Sequence, residues 1–440
     1  MLYSDVLKNK LFTIIDEIEA KKESFVYNPG KDFSRKRKQS FSDIIKFLIS
    51  MENDATKREL MKFFNFSTDA PTDSAFNQQR AKIKPSAFEY LFHQFTSLIE
   101  DEKYYNGYRL LAVDGSGLYI SRNPNDTETY YSPVTSQKGF NLLHLNSIYD
   151  LNNRKYLDAE IQPIHQRDER NALRIMLNRL YSEEPEKIVV IADRGYTGLN
   201  IFDFIEKKHM KYLIRTKDPI SNKMLYGVEI PDSDEFDITV TLCLTHSLKV
   251  MKKNKDKDLR FIPRTSKTRL LGIDDIYTMK LRIVKFALKE NTYEYLVTNL
   301  SQKDFNLNQL KELYRMRWGI ESSYKALKFA AGLINFHAKK REYIIQEIWA
   351  RLTLFNYSEA VAMRITVERL HNKASDKYNY QLNYTTALYL CRLYLKLVPL
   401  ITAIQLESII ECNILPIRQG RTAFRPNRPH QPASFCYRLS

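Results

Sequence analysis

The feature that most constrains the fold is a short apolar run at residues 187–192, KIVVIA. It is too brief for a stable helix and rich in β-branched residues. Runs of this kind form central strands buried on both faces of a sheet. Helical patterns flank it at 169–181 and 200–208, and another strand candidate follows at 212–215. Upstream lie three more strand candidates, 108–113, 142–149 and 155–163, with Asn152 and Asn153 supplying the turn between the last two. Strand–helix alternation on this scale predicts a mixed α/β sheet covered by helices.

The rest of the chain reads differently. Residues 1–105 are helical in pattern. Ser40 and Asp43 precede Ile44, Ile45, Phe47, Leu48 and Met51 at helical spacing, and further helices are expected over 57–64, 75–82 and 87–99. Arg35, Lys36, Arg37 and Lys38 come just before them, as a solvated cluster or a DNA contact. Short helices beside a basic run suit a DNA-binding module. Within 217–290, β-like pieces at 238–244 and 281–287 surround 249–269, which holds nine Lys or Arg against two Asp. That pattern predicts a β-rich insertion with a basic loop. A strand at 295–298, one long helix over 305–333 and another over 344–367 follow. The tail 418–440 has five arginines, three prolines and no acid, and reads as extended. Four regions result: 1–105, a helical DNA-binding region; 106–216 with 291–370, the α/β catalytic domain; 217–290, the insertion; and 371–440, a helical C-terminal region with a basic tail.

Lys and Arg number 68 against 52 Asp and Glu, giving a formal charge of +16 and a pI of about 9.3. A surplus of this size points to a polyanionic partner, usually nucleic acid. Cys243, Cys391, Cys412 and Cys436 show neither metal-ligand spacing nor a disulfide framework, as suits a reduced cytosolic setting. The N-terminus lacks the apolar run of a signal peptide. No stretch approaches 18 consecutive apolar residues, so no membrane span is expected.

Three acids carry the chemistry. Asp114 ends the 108–113 strand and is followed by Gly115 and Gly117; Asp193 ends the 187–192 strand. Carboxylates at the carboxyl ends of strands stand where α/β folds place ligands. Taken singly, an aspartate before glycine is a common turn residue. The third acid, Glu321, shares a helix with Tyr314, Arg317 and Lys328. At about 100° per residue these four fall at roughly 0°, −60°, −20° and −40° around the axis, a single polar stripe. An i,i+4 pair between Arg317 and Glu321 explains part of that stripe without any function. It does not explain why the stripe follows two strand-end aspartates. Two aspartates and a glutamate can hold one or two Mg²⁺ ions, with Mn²⁺ as a substitute. Two such ions stabilise the attacking and leaving oxygens of a displacement at phosphorus. Arg317 and Lys328 can clamp phosphate oxygens, and Tyr314 can stack on a base. Trp318 is expected to pack in the core. His165 and His337 lack a partnered nucleophile and read as structural or surface residues. Asp150, Asp158 and Asp168 are rival acids should the assignment fail.

Tyr314, Arg317, Glu321 and Lys328 match in full the pattern Tyr-x2-Arg-x3-Glu-x6-Lys. In this the sequence resembles the bacterial DDE transposases of the family named after insertion sequence four. The segment 111–116, LAVDGS, resembles that family's first-aspartate strand, and 192–196, ADRGY, its second. The resemblance implies an RNase H-like catalytic domain interrupted by a β-rich insertion, with a helical N-terminal DNA-binding domain. It implies that Asp114, Asp193 and Glu321 form the catalytic, metal-binding triad. It also implies that Tyr314, Arg317, Lys328, Arg194 and Tyr196 contact DNA. The expected partners are double-stranded DNA, as transposon ends and target, and a second copy in a homodimeric DNA complex in the bacterial cytoplasm. Two other functions compete with transposition. A catalytically silent DNA-binding descendant is disfavoured by retention of all three acids. An RNase H-like nuclease is disfavoured by the basic companions of Glu321.

Overall fold

The computed structural model describes residues 1–100, 103–132, 138–218, 228–255, 258–265, 269, 276–289, 292–365 and 379–417. The chain opens with five helices: α1 (Tyr3–Ala20), α2 (Phe41–Ser50), α3 (Thr56–Phe63), α4 (Asp73–Arg80) and α5 (Ser86–Ser97). Ser40 starts α2 through a reciprocal cap. The Asp43 amide donates to Ser40 Oγ at 3.0 Å and the Ser40 amide to Asp43 Oδ2 at 2.9 Å, which satisfies two otherwise orphaned donors. The apolar periodicity then turns Phe47 inward. Its ring meets Phe63 of α3 and Phe76 of α4 edge-on, at centroid distances of 5.2 and 4.8 Å. That geometry favours aromatic pairs and pins three helices together.

The sheet follows as β1 (Arg109–Ile120), β2 (Tyr130–Tyr131), β3 (Phe140–Asp150), β4 (Lys155–Pro163), α6 (Glu169–Arg179), β5 (Ile188–Ala192), α7 (Leu199–Lys207) and β6 (Lys211–Thr216). Then come β7 (Phe236–Thr245), α8 (Leu248–Lys253), β8 (Leu259–Phe261), β9 (Tyr277–Lys289) and β10 (Thr292–Thr298). All ten strands join one sheet in the order β2-β3-β1-β5-β6-β10-β9-β7-β8, with β4 also on β3. β1, β5 and β6 run parallel, while β3 and β4 are antiparallel to their neighbours. This is an RNase H-like α/β core, and the inserted strands β7, β8 and β9 extend its sheet past β10.

Two expectations need correction here. The apolar strand does not stop at Asp114. β3 pairs antiparallel with β1 from Leu111↔Asp150 to Ile120↔Asn141, which carries the strand through both glycines. Only the parallel pairing with β5 ends there, at Val113↔Ala192. The basic stretch 249–269, expected as a loop, contains α8 and β8; residues 256–257, 266–268 and 270–275 lie outside the described residues.

The C-terminal part comprises α9 (Leu307–Met316), α10 (Trp318–Phe329), α11 (Arg341–Arg364), β11 (Asn379–Leu382), α12 (Tyr384–Tyr394), α13 (Ala403–Cys412) and β12 (Ile414–Ile417). The single helix expected over 305–333 is therefore two. At the break, the Arg317 amide donates to Tyr314 O at 3.2 Å and the Ile320 amide to Arg317 O at 3.1 Å, both three-residue steps. A turn tightened in this way rotates the residues after it relative to a straight α-helix. α11 runs between the N- and C-terminal helices and the sheet, and shares one apolar core with α1, α2, α5, α12, β3 and β4. Its buried polar residues are paired. Asn356 bonds both backbone groups of Tyr156 in β4, accepting at 2.8 Å and donating at 2.7 Å. Glu347 holds Arg80 at 3.0 Å, and Glu359 holds Arg154 at 2.7 Å. The tail 418–440 and residues 366–378 lie outside the described residues. Among the described residues no helix is long and apolar enough to cross a membrane.

Candidate active site

Where the β1–β5 ladder ends, two aspartates stand on adjacent strands. Asp114 accepts its neighbour's amide, Gly115 N–H to Oδ1, at 2.9 Å. Asp193 follows β5 directly and caps the short turn behind it, accepting from Gly195 N–H at 2.8 Å. α10 brings Glu321 to the same edge. The Tyr324 hydroxyl, one turn after Glu321, donates to the Asp114 carbonyl at 2.8 Å and lies 2.7 Å from Ser147 Oγ. Ser323 Oγ meets the Tyr156 hydroxyl at 2.8 Å. These buried bonds fix the helix against β1, β3 and β4.

Charge at this edge is tightly coupled. Burial, together with the charges of Asp193 and Glu321, pushes the Asp114 carboxyl up to about 6 against the opposing pull of the Gly115 amide and Arg317. Like charges nearby disfavour ionisation. Asp193 and Glu321 are thus each within electrostatic reach of Asp114. Arg317 is itself buried and donates to Glu321 Oε1 at 2.8 Å. Its guanidinium lies over the rings of Tyr314 and Trp318, at 5.5 and 5.4 Å. Lys328 is half-buried; desolvation lowers its pKa, and the Asp114 charge opposes that.

The other residues singled out fall into two groups. Tyr314 is buried beneath Arg317, and Tyr196 is buried with its hydroxyl unpartnered among the described residues. Burial pushes the Tyr196 phenol well up, and the charges of Glu169, Asp114 and Asp193 add to that. Arg194 is exposed. Trp318 corrects an expectation: it is 49% exposed rather than packed in the core, because it lies opposite the face of α10 that Ile320, Ser323, Tyr324 and Leu327 bury. The rival acids are structural. Asp150 receives Arg109 at 2.7 Å and the amides of Asn152 and Asn153. Asp158 is held by Arg179 and His93, each at 2.8 Å, and Asp168 caps α6. His165 lies 2.8 Å from Tyr130 O, and His337 is buried 3.1 Å from Glu59.

His144 and Glu169 were not singled out by the sequence. A Cβ on Gly115 would collide with His144 Nε2 and come within 3.0 Å of Asn146 Oδ1. On Gly195 it would meet Asp193 Oδ1 at 3.0 Å and Glu169 Oε2 at 3.5 Å. His144 Nε2 lies 3.0 Å from Glu169 Oε1, which helps hold that carboxyl below its usual value. A glycine inside a strand marks close approach of another group. That signal was present, but only the β1–β3 register, Gly115↔Asn146 and Gly117↔His144, identifies the neighbours.

As donors, three carboxylates suit Mg²⁺, which prefers hard oxygen. Among the described residues, no three His, Cys, Asp or Glu are drawn together at metal-ligand spacing. Each acid is instead held by its own partner: Asp114 by Gly115, Asp193 by Gly195 and Glu321 by Arg317.

The topology is that of an RNase H-like α/β core with a β-rich insertion. The family model described as Transposase DDE domain matches residues 105–357, more than half of the chain, and the chain belongs to that family. The solved structure of a piggyBac transposase synaptic complex with hairpin DNA is similar at 10% identity, with a TM-score of 0.48 over 96% of this chain and 87% of that one. Among curated proteins, none matches this sequence.

Proposed function

We propose that this chain is an insertion-sequence transposase of the family named after insertion sequence four, which cuts and rejoins DNA at terminal inverted repeats. The observation that carries this reading is the meeting of Asp114 and Asp193 at the end of the parallel ladder, with the Glu321 helix tied to the Asp114 carbonyl through Tyr324 and Glu321 near enough to act on the Asp114 carboxyl. Asp114, Asp193 and Glu321 would hold Mg²⁺ or Mn²⁺, which when bound supplies positive charge at the reacting phosphate. The chain's own contribution is orientation and charge. Tyr324 holds the Glu321 helix on the Asp114 carbonyl. Arg317 and Lys328 bring cationic groups to the acid edge, where they can bind phosphate oxygens. Arg194 is exposed beside Asp193 and available to the DNA backbone. Tyr314 and Tyr196, both buried, act from beneath: Tyr314 supports Arg317, and Tyr196 lies within electrostatic reach of Asp114 and Asp193 with a hydroxyl unpartnered among the described residues. The net charge of +16 suits duplex DNA as partner, with transposon ends and target bound by a homodimer in the bacterial cytoplasm.

The test is strand cleavage of a linear duplex carrying the DNA that flanks the gene. Wild type and Glu321→Gln are compared with Mg²⁺, Mn²⁺ or EDTA. Metal-dependent cutting at a discrete position, lost in Glu321→Gln, is expected. Equal cutting by the variant contradicts the triad. A folded wild type that binds duplex but does not cut favours a silent DNA-binding descendant.

A further inference from the structure

Two aspartates of the acid edge are each steadied by a glycine amide, Asp114 by Gly115 at 2.9 Å and Asp193 by Gly195 at 2.8 Å. One pair of side chains lies against both glycines. His144 stands in β3 opposite Gly117, and its buried ring reaches diagonally along the same face of the sheet to Gly115. A Cβ on Gly115 would fall 2.3 Å from His144 Nε2, so the ring rests directly on the β1 backbone. Glu169, the first residue of α6, closes the other end. Its Oε1 is 3.0 Å from His144 Nε2, and its Oε2 would be 3.5 Å from a Cβ on Gly195. An unbroken line of contacts therefore runs from Asp114 through Gly115, His144, Glu169 and Gly195 to Asp193.

Both ends of this line are anchored. Next to Glu169, Arg170 donates from Nε to Gly195 O at 3.0 Å and from Nη2 to Thr197 O at 2.5 Å, so the first turn of α6 grips the turn that carries Asp193. The apolar side of α6 packs Ala172 and Leu173 in one core with Val113 of β1 and Ile148 of β3. The side chains of β3 alternate between faces. Ser147 meets Tyr324 of α10 on one face, while His144 and Asn146 look toward α6 on the other. β1 is thus held at Asp114 from one side by Tyr324 and at Gly115 from the other by His144.

We infer that His144 and Glu169 are positioning residues, a strut behind the acid edge that fixes the separation of Asp114 and Asp193. The need for one follows from the sheet. The parallel pairing of β1 with β5 ends at Val113↔Ala192, one residue short of each aspartate, so no ladder bond keeps the two carboxylates in register. Mg²⁺ demands near-ideal geometry with oxygens at about 2.0–2.1 Å, whereas Ca²⁺ accepts about 2.3–2.6 Å in a flexible shell. A loosened aspartate pair therefore costs Mg²⁺ more than Ca²⁺. Groups that orient metal-binding side chains typically contribute about 10–100-fold in affinity. The inference deepens the triad reading and rests on it.

The test uses full-length wild type, His144→Ala, His144→Gln, Glu169→Ala and Glu321→Gln, with far-UV circular dichroism checking the fold. Glu169 is half-exposed, so its variant keeps the test open should His144→Ala fail to fold. Mg²⁺ and Ca²⁺ affinities are read by competition with Mn²⁺, followed by electron paramagnetic resonance. Amide exchange over 111–118 and 193–198 is read on metal-free protein by mass spectrometry. His144→Ala and Glu169→Ala are expected to lower Mg²⁺ affinity about tenfold or more and Ca²⁺ affinity by less than about threefold. Both are expected to speed exchange in both segments. His144→Gln places an amide donor near the position of Nε2 and is expected to restore most of the loss. An unchanged ratio of Mg²⁺ to Ca²⁺ affinity overturns the strut. So does His144→Ala exchange that quickens over 111–118 alone. Failure of the triad reading is seen separately, as Glu321→Gln that binds Mg²⁺ like wild type, and the metal-free exchange then still decides the strut.

Discussion

Two regions of this protein bury polar groups, and they do so in opposite ways. Around α11 the buried groups meet partners of matching charge and geometry: Arg80 with Glu347 and Gln346, Asn356 with the Tyr156 backbone, Glu359 with Arg154. At the acid edge, Asp114 feels the like charges of Asp193 and Glu321 with Arg317 only partly offsetting them, while the Tyr196 hydroxyl and the Asn146 side-chain oxygen have no hydrogen-bond partner among the described residues. The first arrangement secures a unique helix packing. The second leaves charge and hydrogen-bonding capacity uncommitted, which is what a site for an ion and a phosphate requires. The protein is expected to be stable because of α11 and active in spite of the stress at the acid edge.

The sharpest way to break this comparison is to remove one member of each. Glu347→Ala strands Arg80 in the core and is expected to cost about 3–5 kcal/mol in denaturant unfolding. Glu321→Gln leaves the buried Arg317 a side-chain oxygen to bond and is expected to cost less, about 1–2 kcal/mol. Similar losses for both would erase the distinction.

Next in size is a pH effect of opposite sign. The Asp114 carboxyl sits at about 6 when folded against an ordinary value of 3.8, so the folded protein holds its proton more tightly than the unfolded chain does. Its contribution to stability is therefore complete below pH 3.8 and is lost as pH rises toward 6. Without divalent ions, Asp114→Asn is expected to match wild type at the acid end. It should exceed wild type by up to about 3 kcal/mol near neutral pH. A difference between the two that does not vary with pH would contradict this.

Smaller effects sharpen the picture. Tyr324→Phe removes the donor to the Asp114 carbonyl and is expected to cost about 1–2 kcal/mol, measured by thermal unfolding. Tyr196→Phe removes a hydroxyl with no partner among the described residues and is expected to leave stability unchanged or slightly higher. A loss as large as that of Tyr324→Phe would show that the hydroxyl is bonded after all.

The sequence carried the local signals for most of the sheet and helices. Apolar runs placed β4 and β5, and capping residues placed α2, because those signals act within a few residues. It also brought forward Asp114, Asp193 and Glu321. What it did not carry depends on distant pairing. β1 continues past Asp114 only because β3 pairs with it there, and His144 reaches Gly115 through that same register. The expectation for Trp318 failed because it rested on residue type, whereas its position opposite Ile320, Ser323, Tyr324 and Leu327 on α10 leaves it in solvent.

The most direct measurement is binding of Mn²⁺ to the full-length protein, followed by electron paramagnetic resonance for wild type, Asp193→Asn and Glu321→Gln. Saturable uptake of one or two ions by wild type, weakened at least tenfold in each variant, is the expected result. Identical binding curves for all three proteins would contradict the claim that these carboxylates form a metal site.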